Sequence, residues 1–179
     1  MERRDFLKKS GLISTGILAS TSAIAAISNN IGANSTINIG VIGTGSRGAG
    51  LIPILNRIEG VQVAACCDVL PFRLENGLKR AGNKAKGYSD YRKLLDNKNV
   101  DAVLVSTPFN THSNIAIDAV DAGKHVYCEK TMAKGIKGIQ ALVNKASTSK
   151  NIFQTGHQYH SSRLYNHCLL YTSPSPRDS

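Results

Sequence analysis

The sequence contains no tryptophan, and aromatic residues make up only 6% of its 179 positions. Negative charge is also scarce: 12 acidic residues stand against 22 basic ones, a formal net charge of +10. The basic residues are scattered, with short pairs at Lys79-Arg80 and Arg92-Lys93, and no aromatic side chains interleave them. A nucleic-acid surface built on such a stripe is therefore unsupported, and no nucleic-acid partner is expected. Cysteine is sparse as well. Cys66, Cys67, Cys128 and Cys168 form no C-x-x-C pair and no Cys/His spacing that suits a metal. Neither a disulfide framework nor a metal site is expected. Cys66, Cys67 and Cys128 read instead as small buried hydrophobes. Cys66 and Cys67 adjoin on an apparent strand, so their side chains should face opposite sides of a sheet. Repeats and low-complexity stretches are missing ahead of the tail.

What is present begins with a composition of 41% hydrophobic and 19% charged residues, which suits one globular domain with its own core. Residues 1–30 look like an address. Glu2-Arg3-Arg4-Asp5-Phe6-Leu7-Lys8-Lys9 is a charged leader, and an apolar, small-residue stretch from Gly11 to Ile27 follows it. Ala23-Ile24-Ala25 offers the small-x-small pattern of a signal-peptidase site. The Arg3-Arg4-x-Phe6-Leu7-Lys8 run resembles the twin-arginine export motif, a receptor-read address rather than an anchor. The resemblance implies the twin-arginine export machinery as a partner and a periplasmic or exported location. An amphipathic helix or a membrane span is the alternative, although the stretch is short and rich in Ser, Thr and Gly. Residues 31–36 read as a linker.

From Ile37 onward, apolar strands alternate with amphipathic helices. Strands are expected at Ile37–Ile42, Val61–Cys67, Lys86–Tyr88, Val100–Ser106, His125–Cys128 and Ile152–Thr155. Helices are expected at Ser46–Ile58, Pro71–Ala81, Asp90–Leu95, Thr111–Ala122 and Ile136–Ser147. In the first helix, Leu51, Ile54, Leu55 and Ile58 recur at helical spacing, and Pro53 either kinks it or starts its regular part. Regular alternation with short connections predicts an α/β fold with a doubly wound parallel sheet over residues 37–157. Residues 158–167 read as the start of a truncated second domain. Residues 168–179 lack periodicity and read as an artefactual or disordered tail.

Gly43-Thr44-Gly45-Ser46-Arg47-Gly48 is a G-x-G-x-x-G run that follows a predicted strand and opens a predicted helix, the context that gives such a run meaning. Gly43 permits the tight turn, Gly45 lets backbone approach a pyrophosphate, and Gly48 lets helix and strand pack closely. The helix start offers free N–H groups and a positive dipole end to phosphate. The protein's positive charge suits the same ligand. Asp68 ends the second strand, where a carboxylate accepts hydrogen bonds from a ribose diol and repels a 2′-phosphate. NAD is therefore expected as cofactor. Arg73 keeps NADP as the alternative, since an arginine holds a 2′-phosphate or stacks on adenine.

A second constellation lies at later strand ends, where such sheets bind ligands. Ser106-Thr107-Pro108-Phe109-Asn110-Thr111-His112 follows one strand, and Glu129-Lys130-Thr131 follows the next. With the glycine loop, Asp68, the T-P-x-x-x-H run and Ala122-Gly123-Lys124-His125-Val126, the sequence from about Ile37 to Tyr165 resembles the glucose–fructose oxidoreductase / inositol dehydrogenase (Gfo/Idh/MocA) family. That resemblance implies a Rossmann domain followed by an α/β domain, which is missing from this chain. It implies hydride transfer between a sugar or polyol hydroxyl carbon and nicotinamide. Gly43, Thr44, Gly45, Ser46, Arg47, Gly48, Asp68, Arg73, Thr107, Pro108, Asn110, His112, Glu129 and Lys130 are then the cofactor-binding candidates. Lys130 is the catalytic candidate, an ammonium that assists the reacting hydroxyl, and Glu129 orients the cofactor or the lysine.

Thr131 departs from the family's usual Glu-Lys-Pro. A cis bond ahead of a non-proline residue costs about 2.5–4 kcal/mol, so a different local backbone is expected there. His157 and His160 fall near the handover to the second domain and read as loop or interdomain contacts. His112 reads as a structural residue beside the cofactor, and Tyr88 and Tyr91 as packing residues. Some exported relatives are glycosidases that use bound NAD for transient oxidation. Those tend to lack the lysine, so Lys130 argues against that alternative. A non-catalytic dinucleotide-binding module is the other alternative for a chain of this length. Relatives associate through the second domain, so the full-length protein is expected to be a homo-oligomer. Export of an already folded, cofactor-loaded protein would also answer the lack of NAD outside the cytoplasm.

Overall fold

A computed structural model describes residues 36–172. The export-signal reading of residues 1–30, most of the linker and the last seven residues of the tail lie outside the described residues. Six strands form one sheet: β1 (Ile37–Ile42), β2 (Val61–Cys67), β3 (Lys86–Tyr88), β4 (Ala102–Val105), β5 (His125–Cys128) and β6 (Phe153–Thr155). Their order is β3-β2-β1-β4-β5-β6, and all pair in parallel. Parallel neighbours need crossovers, and helices supply them: α1 (Ser46–Leu55), α2 (Pro71–Ala81), α3 (Tyr91–Leu95), α4 (Phe109–Asp121) and α5 (Gly135–Thr148). A 3-10 turn (Gln158–Ser161) and α6 (Arg163–Thr172) follow β6. The helix places Cys168 and the next four residues in regular structure. This is the doubly wound Rossmann arrangement, in which the strand order reverses between β1 and β4.

The buried strands carry side chains into two separate cores, one on each face. On one face Val41, Val63, Cys66 and Leu104 pack with Ile52 of α1, with Leu74 and Leu78 of α2 against them. On the other, Ile42, Ala65, Cys67, Val103 and Val105 pack with Leu94 of α3, Ala116 of α4 and Leu142 of α5. Cys66 and Cys67 do face opposite sides. Burial pushes the thiols of Cys66, Cys67 and Cys128 up to about 12, so they stay protonated and inert.

Several expectations need correction, and β4 is shorter than the expected Val100–Ser106. The first helix ends at Leu55, not Ile58, and its core stripe is only partly the one expected: Leu51 and Leu55 pack against the core, joined by Ala49 and Ile52. Ala49 and Ile52 are buried, while Ile54 and Ile58 are about half exposed. The phase of the helix is fixed by Gly48 and Ala49, which must lie against the strand ends, and that turns Ile54 outward. Asn56 caps the helix, its amide donating to the Ile52 carbonyl at 3.1 Å, and its Oδ1 accepts from the Val63 amide at 2.9 Å, which ties the helix end to β2. Pro53 sits inside α1. It has no N–H for the Ala49 carbonyl, and the Arg80 guanidinium from α2 donates to that carbonyl instead, at 3.4 Å. Helix α4 likewise starts at Phe109, ahead of the expected Thr111, with Pro108 as its N-cap and the Thr111 amide donating to the Pro108 carbonyl at 2.9 Å.

Lys124 is buried at the opposite end of the sheet from the carboxyl strand ends. Its ammonium donates to the carbonyls of Asn97 at 2.9 Å and Val100 at 2.8 Å, tying the turn before β4 to the start of β5. Burial lowers its pKa, and Asp101 and Asp96 oppose that shift. Replacing it with an apolar side chain would leave the Val100 carbonyl without this donor and the Asn97 carbonyl with only the Val100 amide, at 3.2 Å. A Lys124→Met substitution should therefore destabilise the fold by about 1–3 kcal/mol, read as a lower urea midpoint with an unchanged slope.

Candidate functional site

The strand order reverses between β1 and β4, so the chain leaves these two neighbours toward opposite faces and a crevice opens between their carboxyl ends. The glycine loop forms one wall. Gly43 has a φ of +90°, which favours glycine, and its amide donates to the Cys67 carbonyl at 2.8 Å. The Ser106 hydroxyl donates to the Gly43 carbonyl at 2.6 Å, and the Ser106 amide donates to the Ile42 carbonyl at 2.8 Å. At Gly48 a Cβ would fall on the Gly43 carbonyl oxygen and on Ser106 Oγ. The first turn of α1 can approach both strand ends only because nothing projects there. Gly45, by contrast, faces open space on the cleft side, with only the Arg73 guanidinium 3.7 Å from where a Cβ would stand. It also begins α1 without a side-chain cap, so no side-chain oxygen occupies the first-turn amides.

Asp68 sits at the end of β2 and is 8% exposed. Its Oδ2 accepts from the Thr44 amide at 2.9 Å and lies 3.4 Å from Thr44 Oγ1, and its Oδ1 accepts from the Leu70 amide at 3.0 Å. A carboxylate has about four acceptor positions, so Asp68 retains room for a donor from the cleft. The Asp68 carboxylate, Gly43, Gly45, Arg73, Thr107 and Pro108 all line one cavity of about 780 Å³. Several of its lining residues were not expected from the sequence: Val69, Leu70, Ser89, Asp90, Tyr91 and Arg92. Tyr91 does pack against the core, as expected, but it also lines this cavity. Its hydroxyl donates to Asp118 at 2.7 Å, and burial followed by that carboxylate pushes its pKa up to about 12. Strands β2 and β3 lie side by side in parallel only in the folded sheet, so no local signal marked residues 89–92 as lining the cavity.

The other candidates separate into two groups. Thr44 is fully buried, and its hydroxyl donates to the Arg73 carbonyl at 2.9 Å. Its methyl carbon lies where a Cβ on Gly77 would come within 2.6 Å. With its amide also held by Asp68, Thr44 supports the loop from beneath and does not face the cavity. His112 is buried as well. Its Nδ1 lies 2.8 Å from the Thr131 carbonyl oxygen and its Nε2 2.6 Å from that of Thr107. The ring thus straps the turn after β5 to the loop after β4. Asn110 is exposed in the first turn of α4, and Ser46 is exposed in the first turn of α1. Arg47 is bound to Glu129: Nε donates to Oε1 at 2.7 Å, and Nη2 lies 2.6 Å from the same oxygen. Lys130 is exposed, next to the buried Glu129 at the end of β5.

The Lys130–Thr131 peptide bond is cis. The expected departure of the backbone at Thr131 does not occur: Glu129 Oε2 accepts from the Lys130 amide at 3.3 Å, and the His112 ring faces the Thr131 carbonyl oxygen. Neighbouring side chains therefore hold this turn from both sides.

With this geometry in place, the comparison with known families is direct. The signature of the Gfo/Idh/MocA oxidoreductase family, NAD-binding Rossmann fold, matches residues 37–157. The chain belongs to this family. A glycosyl hydrolase family 109 protein of Solibacter usitatus is 34% identical over 184 residues, covering 94% of this chain and 40% of that protein. An inositol 2-dehydrogenase of Salmonella typhimurium is 31% identical over 123 residues, covering 68% of this chain and 37% of that protein. Among solved structures, scyllo-inositol dehydrogenase from Lactobacillus casei with bound NAD(H) and scyllo-inositol superposes with a TM-score of 0.69 at 27% identity, covering 76% of this chain and 41% of that one. The chain thus spans about 40% of the length of these Gfo/Idh/MocA relatives. The described domain is an NAD-binding Rossmann domain, and the cavity at its switch point has the open glycine wall and the strand-end carboxylate that such a cofactor requires.

The close approach at Gly48 gives a sharp test. A Gly48→Ala substitution should push α1 off the strand ends, lower stability by about 1–3 kcal/mol through overpacking, and abolish measurable NAD⁺ binding. Thermal unfolding and calorimetric titration of the same sample would check both.

Proposed function

We propose that this domain is the cofactor-binding part of an NAD-dependent oxidoreductase that transfers hydride between a sugar or polyol hydroxyl carbon and nicotinamide. The observation that carries the reading is the cavity that joins Gly45, Asp68 and Thr107 at the switch point of a family-matched sheet. Bound there, NAD supplies the hydride acceptor. Backbone amides at the start of α1 hold its pyrophosphate. The free acceptor position of Asp68 takes a hydroxyl of the adenosine ribose, and its charge disfavours a 2′-phosphate. Arg73 stands beside Gly45, close to where the adenosine end would lie. Lys130, exposed at the end of β5, holds or donates a proton at the substrate oxygen as charge develops on it. Inositol dehydrogenases among the relatives support a cyclic polyol as substrate.

The main base and the wall of the substrate pocket are assigned to a second domain in a longer protein, in keeping with the 40% share of its relatives' length. That longer protein is proposed to be a homo-oligomer, exported through the twin-arginine pathway. If so, replacing both Arg3 and Arg4 with lysine should leave a reporter fused to residues 1–36 in the cytoplasm, whereas the native leader carries it out.

A second reading has specific support. The family 109 glycosyl hydrolase from Solibacter usitatus matches 94% of the chain. An NAD-dependent glycosidase would cleave a glycoside with no net formation of NADH, so absorbance at 340 nm and product release together separate the two chemistries. Lys130 favours the dehydrogenase.

The cofactor claim is tested on the chain itself. Calorimetry should show NAD⁺ binding more tightly than NADP⁺. Asp68→Asn should weaken NAD⁺ about tenfold, near 1.4 kcal/mol, and narrow the gap between the two. A folded chain that binds neither nucleotide would remove the functional reading and leave only the family and the fold.

A further inference from the structure

Arg47 occupies the third variable position of the glycine loop, in the helical turn that faces the pyrophosphate of the proposed cofactor. Its guanidinium does not stand free there. Nε and Nη2 both reach Glu129 Oε1, at 2.7 and 2.6 Å, and Nη2 also donates to Gln158 Oε1. Glu129 is 3% exposed, and its second oxygen accepts from the Lys130 amide at 3.3 Å. The backbone after β6 closes over it. The Gly156 amide donates to the Cys128 carbonyl at 2.7 Å, and a Cβ at Gly156 would come within 2.9 Å of Glu129 Cα and 3.0 Å of Oε2. A buried carboxylate is costly without a cation, and the cation here arrives from α1, 82 residues away in the chain.

Three segments therefore meet at one ion pair: the first turn of α1, the end of β5 and the turn after β6. We infer that Arg47 and Glu129 are positioning residues, whose ion pair, closed by Gln158, sets the spacing between the glycine loop and the strand end that carries Lys130. The inference rests on the dinucleotide reading above and deepens it, because it divides the site in two. The adenosine half lies among Asp68, Leu70 and Thr107, and its supporting bonds (Thr44 to Asp68, Leu70 to Asp68, Ser106 to Gly43) use neither Arg47 nor Glu129. The nicotinamide half lies toward Lys130, and its distance from the loop is set by the ion pair. Glu129 also neutralises Arg47, so the pyrophosphate is held by backbone amides while the guanidinium holds the two walls together. Glu129 acts on the cofactor through Arg47 and the Lys130 amide, not by direct contact.

The test compares a whole dinucleotide with its adenosine half on the same chain. NAD⁺ is titrated by calorimetry and 5′-AMP by NMR, for the native chain, Glu129→Gln, Arg47→Met and Arg47→Lys. Expected is a loss of about tenfold in NAD⁺ affinity for Glu129→Gln and Arg47→Met, with AMP affinity within twofold of native. Arg47→Lys, which keeps the charge and one contact, should bring NAD⁺ affinity back to within about threefold. In the free chain, the Arg47 Nε–H proton should exchange slowly with solvent, and should exchange rapidly in Glu129→Gln. Equal losses of NAD⁺ and AMP affinity would mean a general structural role and overturn the inference. So would no loss for either, or fast exchange at Arg47 in the native chain. If Glu129→Gln fails to fold, the Arg47 pair decides by the same criteria. A native chain that binds neither ligand removes the dinucleotide reading and this inference with it. One that binds AMP as tightly as NAD⁺ overturns this inference alone.

Discussion

The close approach of the first turn of α1 to the carboxyl ends of β1 and β4 governs the site. Gly48 has to press against the Gly43 carbonyl and the Ser106 hydroxyl, and any side chain there would collide with both. That contact sets the rotational phase of α1. It turns Ala49 and Ile52 into the core and Ile54 away from it. It also aims the helix start at the crevice and delivers Arg47 to Glu129. One missing Cβ thus links packing on one face of the sheet to the geometry of the cofactor cleft.

Buried polar side chains hold the loops, and each bonds to backbone groups of the segments it joins. Asp68 holds the Thr44 and Leu70 amides. His112 faces carbonyl oxygens from both loops at the strand ends, and Lys124 ties two turns at the far end of the sheet. No buried side-chain nitrogen or oxygen among the described residues lacks a partner. Such groups are costly when unpaired, so loops assembled this way are specified rather than merely permitted. The apolar cores supply the bulk of the driving force, and these bonds choose the arrangement of the loops.

Much of the architecture could be read in the sequence, because strand, glycine loop, helix, strand and acidic residue follow one another in register. β2, β3, β5 and α2 have the bounds that hydrophobic periodicity predicted. The errors lie where a tertiary contact overrode the local pattern. The apolar repeat of Leu51, Ile54, Leu55 and Ile58 was half right: Leu51 and Leu55 pack against the core, while Ile54 and Ile58 turn outward because Gly48, not hydrophobicity, fixes the phase. Thr44 sits within the motif and suggested a cofactor contact, yet Gly77 of α2 leaves a space beneath the loop that only its side chain fills.

By itself the sequence determined the parallel α/β order, the family and the place of the glycine loop at a strand–helix turn, since all three rest on spacings within short runs of chain. Tertiary structure alone decided which of the motif residues face the cleft and which support it. A parallel sheet gathers its carboxyl strand ends from segments far apart in the chain, by crossovers that leave no local trace. Asp68 meets Thr44 across 24 residues and Glu129 meets Arg47 across 82. Such partnerships depend on where helices seat against the sheet, which is a property of packing in three dimensions and not of any periodicity along the chain.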